Sequence, residues 1–238
     1  MMRTESNIAT EPNPMPLQDL GARFLEFLGG VTYPCVGAKS ALARGSIETQ
    51  EFGRLGDRAN DRLLIEGLSH FVSMIESSSA DEDIVHSYVA IFREPTDLNE
   101  LQFESLMWSQ LWRIHRLDVL AGNLPAEDVS DDTESPHFSL SISGHPFFLI
   151  GLHAKASRLA RRFRHPALVF NSHRQFEKLR EDGRYGKMQS ATRSRDIDLQ
   201  GSVNPNLADF GDASEARQYS GREVEVGWQC PYDFREKS

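Results

Sequence analysis

Cysteine is scarce in this chain. The 238 residues hold two, Cys35 and Cys230, and no CxxC pair. Two thiols cannot build a four-cysteine zinc site, and a cytosolic chain keeps both reduced. Long apolar runs are missing as well. No stretch reaches the roughly 20 residues that a membrane-spanning helix needs, and the opening MMRTESNIATEPNPMPLQ lacks the apolar centre of a secretory signal. Positive charge is in the minority: 26 Lys+Arg against 35 Asp+Glu, a net charge of -9. That balance offers no overall basic footprint for nucleic acid or an anionic membrane. HExxH, the phosphate-binding and dinucleotide glycine motifs and the GxSxG elbow are all absent. One ExxH occurs, Glu134 to His137, but it straddles Pro136 and so does not share a helix face. These absences point to a soluble cytoplasmic protein with neither nucleic acid nor membrane as its partner.

What is present is ordinary globular composition, 39% hydrophobic and 26% charged. No internal repeat occurs. Residues 1–16 read as a disordered leader and residues 17–238 as a single domain. Residues 17–29 form a short amphipathic helix, and residues 60–78 carry Leu64, Leu68, Phe71, Val72 and Ile75 at helical spacing. Residues 84–93 read as a strand. Residues 97–120 give the strongest helix, with Asp97 placed to cap it. The acidic stretch 123–136 is a surface loop. FSLSIS and PFFLIGLH flank Gly144-His145 as a hairpin, SRLARRFR reads as a basic helix, and ALVFN as a buried strand. Residues 173–195 make one helix or two, broken near Gly183. From Asp196 onward the chain turns irregular. The fold class expected is α+β: an antiparallel sheet of four or more strands packed against helices, with a long irregular C-terminal segment.

Several groups of residues carry chemistry, each with a plain alternative. His153 ends an apolar strand just before Arg158, Arg161 and Arg162. An imidazole beside guanidiniums suits a heme iron and its propionates, or a phosphate; the alternative is a basic helix face with a structural histidine. Cys230, in GWQCP, stands near Trp228, whose indole N–H can donate to sulfur; the alternative is a buried free thiol. Cys35, in YPCVG, carries the same ambiguity. Asp196, Asp209 and Glu215, among the amides of a Gly-rich segment, can hold a guanidinium bidentately or brace the loop. His173 heads a helix, as a proton relay or as decoration of the helix start.

Longer stretches resemble a known family. FFLIGLHAKASRLARRF, PALVFNSHRQFEKLREDGRYGKM and RSRDIDLQGSVNPNLADFGDASEARQYSGREVEVGWQCPY, with the earlier YPCVGAK, are similar to the YqcI/YcgG family over about residues 30–235. Members of that family include heme-dependent N-hydroxylases of guanidines. The resemblance implies heme b (protoheme), dioxygen as co-substrate, an electron-donating reductase and a guanidine-bearing substrate such as arginine or a derivative. A homodimer is left open. It also implies a heme ligand among Cys230, His153 and Cys35, propionate contacts from Arg158, Arg161 and Arg162, and a guanidinium contact at Glu215, with Asp196 and Asp209 behind it. A non-catalytic heme sensor or carrier and a peroxidase-like heme enzyme are the alternatives. Asn206 stands where the family's NPML motif has Met, a change expected to alter the pocket.

Overall fold

Apolar residues run almost unbroken along the central strands because the sheet is covered on both faces. The computed structural model describes residues 19–77 and 84–235; the expected leader, 1–16, lies outside them. The sheet has five strands in the order β1-β2-β5-β4-β3. These are β1 (Ile47–Arg54), β2 (Ser87–Glu94), β3 (Leu140–Ile142), β4 (His145–Leu152) and β5 (Ala167–Ser172). The expected α+β class holds, with one correction: β1 runs parallel to β2, while every other pairing is antiparallel. The 17-residue helix α3 (Asp61–Ser77) carries the chain back from the end of β1 to the start of β2, the crossover a parallel pair requires. The hairpin β3–β4 turns at Ser143-Gly144, both with positive φ.

On one face, α3 and α4 (Glu100–Leu120) pack over Tyr88, Ala90, Phe92, Phe147, Leu149, Leu168 and Phe170. The cap of α4 is Asn99, not Asp97. Asn99 accepts from the Gln102 amide at 2.9 Å and its own amide reaches the Gln102 side chain at 3.0 Å, a reciprocal capping box. On the other face, α1 (Leu20–Gly29) packs Leu20, Phe24 and Leu28 against Val89, Ile91, Leu152 and Phe163.

The segment 158–162 is not a helix. It makes one 3-10 turn, Leu159–Arg161, and then Pro166 and β5 follow too soon for a helix to grow. The break at Gly183 (φ 75°) is real: it separates α5 (His173–Glu181) from α6 (Arg184–Gln200). The second helix runs past Asp196 to Gln200, so the irregular C-terminal segment begins later than its composition suggests.

Candidate functional site

Alternate residues of a strand face opposite sides, so the strands that fill one core with Phe147, Leu149, Leu168 and Phe170 turn Phe148, Ile150, Val169 and Asn171 the other way. With Ser87, Val89 and Leu152 these residues form the floor of a cavity of about 260 Å³. Phe24 and Leu28 of α1 close one side. Cys35, the N-cap of α2 (Val36–Arg44), enters from another. His173, Phe176 and Arg180 of α5 and Met188, Gln189, Thr192 and Arg193 of α6 make the remaining walls. Asp209 and Phe210 come from the irregular segment, and Glu215 from the residue before α7 (Ala216–Tyr219).

The outer wall differs from the rest. No residue of α6 is buried. It is fastened by polar contacts: the Thr192 hydroxyl accepts from the Val36 amide at 3.2 Å, Gln189 donates to Asp209 at 2.6 Å, and Gln200 accepts from the Leu159 amide at 2.7 Å. Arg158 donates to Asp196 near its far end. Glycines with positive φ flank the helix, Gly183 and Gly201, and a Cβ at either would meet nothing.

Glu215 is the buried acid of the site. Its side chain is 5% exposed, and burial pushes its carboxyl up to about 8. Burial outweighs the hydrogen bond from Tyr219, which by itself would lower this carboxyl. The Tyr219 hydroxyl lies 2.6 Å from Glu215 Oε1 and 3.2 Å from the Phe147 carbonyl, and it accepts from the Leu140 amide. The phenol donates to its closer acceptor, Glu215 Oε1. Tyr219 is placed in turn by Gly151, where a Cβ would come within 2.9 Å of the Tyr219 carbonyl and 2.7 Å of the Phe103 ring.

His173 stands beside Glu215, its Nδ1 4.0 Å from Glu215 Oε2, with the Phe210 ring 4.3 Å away centre to centre. Burial lowers the imidazole below its ordinary value. Cys35 Sγ accepts from the Ala38 amide at 3.4 Å. Burial raises this thiol, and the Ala38 and Gly37 amides oppose the rise. At the half-exposed mouth, Arg193 lies 3.8 Å from Asp209, and its buried Nε has no hydrogen-bond partner.

The cavity thus brings together Cys35, His173, Asp209 and Glu215. The other candidates lie elsewhere. Cys230 packs against the opposite core, where burial pushes its thiol up to about 12. Trp228 sits there too, 6.2 Å from the Trp108 ring. His153 stacks on Phe103 of α4 at 4.5 Å, its buried Nδ1 unpartnered. Arg158 is held by Asp196 and by Ser202, so the guanidinium and the carboxylate bind each other. Arg161 donates to the carbonyls of Gly151 and Tyr219, and burial lowers it to about 10. Arg162 donates to the Ala156 carbonyl. Asn206 bridges Arg222 and Val224 by backbone contacts, and its neighbours Leu207 and Ala208 line the cavity instead. Arg180 and Arg193 escaped the sequence reading because nothing local marks two helix arginines as facing a cavity. Among the described residues no group of three or more His, Cys, Asp or Glu side chains is placed to hold a bare metal ion, and no helix is long and apolar enough to cross a membrane.

The YqcI/YcgG family model matches residues 24–233, and the chain belongs to that family. No curated protein and no solved structure matches it.

Proposed function

We propose that this YqcI/YcgG protein is a cytoplasmic, heme-dependent enzyme that N-hydroxylates the guanidine group of arginine or of an arginine-derived small molecule. One observation carries the reading: a largely apolar cavity lined both by a buried neutral carboxyl, Glu215, and by a cysteine at a helix N-terminus, Cys35.

The donor set fits a heme. Apolar walls come from Phe24, Ile150, Leu152 and Val169, and two cations, Arg180 and Arg193, line the same cavity. Of the three ligands weighed from the sequence, Cys35 is the one that lines it. Burial raises the Cys35 thiol, and the amides of Gly37 and Ala38 at the positive end of α2 offset part of that rise. Cys35 would hold the iron, and Arg180 and Arg193 the propionates, by planar guanidinium–carboxylate pairing. When bound, heme supplies activated oxygen from dioxygen with electrons from a reductase.

The chain's own share is binding and positioning. A guanidinium that enters displaces the proton of Glu215, because the pair in a dry pocket is favoured over a neutral acid beside a cation. Glu215 then fixes the nitrogen to be oxidised, with Tyr219 holding the carboxyl in place. Asp209 gives the mouth a negative group that draws a cation inward. The walls from α1 and α6 keep bulk water out.

The test is optical and chemical. Protein produced with heme supplied shows a Soret band that shifts when L-arginine or guanidine is titrated in. With a reductant and dioxygen, mass spectrometry finds the guanidine compound heavier by one oxygen. No heme uptake, or no response across a panel of guanidines, overturns the reading, and heme uptake without any product indicates a sensor or carrier.

A further inference from the structure

The closed end of the cavity is linked to solvent by a line of titratable side chains. Glu215 and His173 are each 5% exposed, and Glu177, one helical turn beyond His173, is 39% exposed. Glu215 Oε2 faces His173 Nδ1 at 4.0 Å, and His173 Nε2 faces Glu177 Oε1 at 3.4 Å. Both imidazole nitrogens are therefore aimed at carboxyl groups, one buried and one at the surface. We propose that Glu215, His173 and Glu177 form a proton path between the inner end of the cavity and bulk water.

The arrangement suits transfer. Catalytic hydrogen bonds are often long before ligand binds, and an approach of about 1 Å or one bridging water closes the gap from Glu215 to His173. One proton enters the ring at Nδ1 as another leaves from Nε2, so the imidazole ends neutral. Its lowered basicity favours passage over retention. The groups that surround the ring are Glu177, Arg174 and Arg180 of its own helix, Asp128 from the loop after α4, and Glu215. Glu177 is held against Arg180, which fixes the outer carboxylate within reach of Nε2. Such a path gives the proton released when a cation ionises Glu215 a route outward that does not pass the mouth by which the cation enters. This use of the path rests on the proposed function, whereas the path itself rests on the three side chains.

The full-length protein tests it with no substrate or heme added. Infrared difference spectroscopy after rapid mixing with D2O follows the carboxyl band of protonated Glu215, assigned by its loss in Glu215→Gln. His173→Phe slows deuterium exchange at this carboxyl at least about tenfold relative to wild type, the loss expected when the central residue of the relay cannot carry a proton. Glu177→Gln, at the surface and so no threat to folding, slows it less but measurably, and His173→Gln behaves like His173→Phe. Unchanged exchange in Glu177→Gln together with either His173 variant overturns the path. Exchange rates do not depend on heme or guanidine binding, so a failed oxygenase reading leaves this result standing.

Discussion

Arg158 and Asp196 hold each other at the far end of α6: Arg158 Nη2 donates to the Asp196 carboxylate, and the same nitrogen reaches the Ser202 carbonyl at 2.7 Å. The pair is nearly buried, with side chains 9% and 13% exposed. It ties the last turns of α6 to the turn that follows β4. Since α6 buries no residue of its own, polar fasteners of this kind are what keep it closed over the site.

Asp196→Asn therefore leaves a buried arginine without its counter-charge. The expected loss is about 3 kcal/mol in urea unfolding, the size typical of breaking one side of a buried pair. Part of the effect is local. Amide hydrogen exchange along α6 speeds up more than in α4. A variant in which α6 and α4 exchange as in wild type removes the fastening role.

The two cysteines separate cleanly. Cys35 lines the cavity, whereas Cys230 packs on the far side of the sheet. With heme supplied, Cys35→Ser loses the spectrum of a thiolate-ligated ferrous–carbonyl complex, and Cys230→Ser keeps both spectrum and heme content. The reverse pattern returns the ligand to Cys230.

Glu215 sets a pH dependence. Its folded-state value is about 8 against an ordinary 4.5, so between these limits the folded chain binds the proton that the unfolded chain has released. Stability is greatest below pH 4.5 for this group and falls as pH rises toward 8. Ligand binding runs the other way. A guanidinium needs the carboxylate, so its affinity rises about tenfold per pH unit up to pH 8 and levels off above. Glu215→Gln flattens both profiles. Isothermal titration from pH 6 to 9, beside thermal unfolding of the same samples, checks the pair of slopes.

Gly151 allows the close approach of three elements. Gly151→Ala pushes a methyl into the Phe103 ring and the Tyr219 carbonyl. The backbone carbonyl cannot swing aside as a side-chain tip can, so the cost is about 1–3 kcal/mol. Because Tyr219 positions Glu215, guanidine affinity drops as well. Thermal unfolding and the same titration measure both, and a variant as stable and as tight-binding as wild type rejects the argument.

Much of this fold is written locally. The spacing of Leu64, Leu68, Phe71 and Val72 dictates α3, the alternation around Gly144 dictates the β3–β4 hairpin, and Gly183 ends α5 because its positive φ suits no ordinary residue. Those signals act over a few residues, so a sequence displays them. The family similarity was legible for the same reason, as unbroken motifs.

Other features answer to residues far away in the chain. The parallel pairing of β1 with β2 follows from where α3 lands, which periodicity does not encode. Segment 158–162 has helical composition, yet Pro166 and the return to β5 leave it one 3-10 turn. Composition also made Asp196 a ligand for a guanidinium outside the chain, and the tertiary structure supplied one inside it, Arg158. His153 and Cys230 carry side chains as reactive in type as His173 and Cys35. A strand's alternation and a helix's rotation decide which of them face the cavity, and each depends on the packing of both sheet faces at once. The sequence by itself determined the α+β class, most of the elements and the family. Only the tertiary packing decided that Cys35, His173, Asp209 and Glu215 share a cavity, because side chains 180 residues apart meet only once the chain between them has folded.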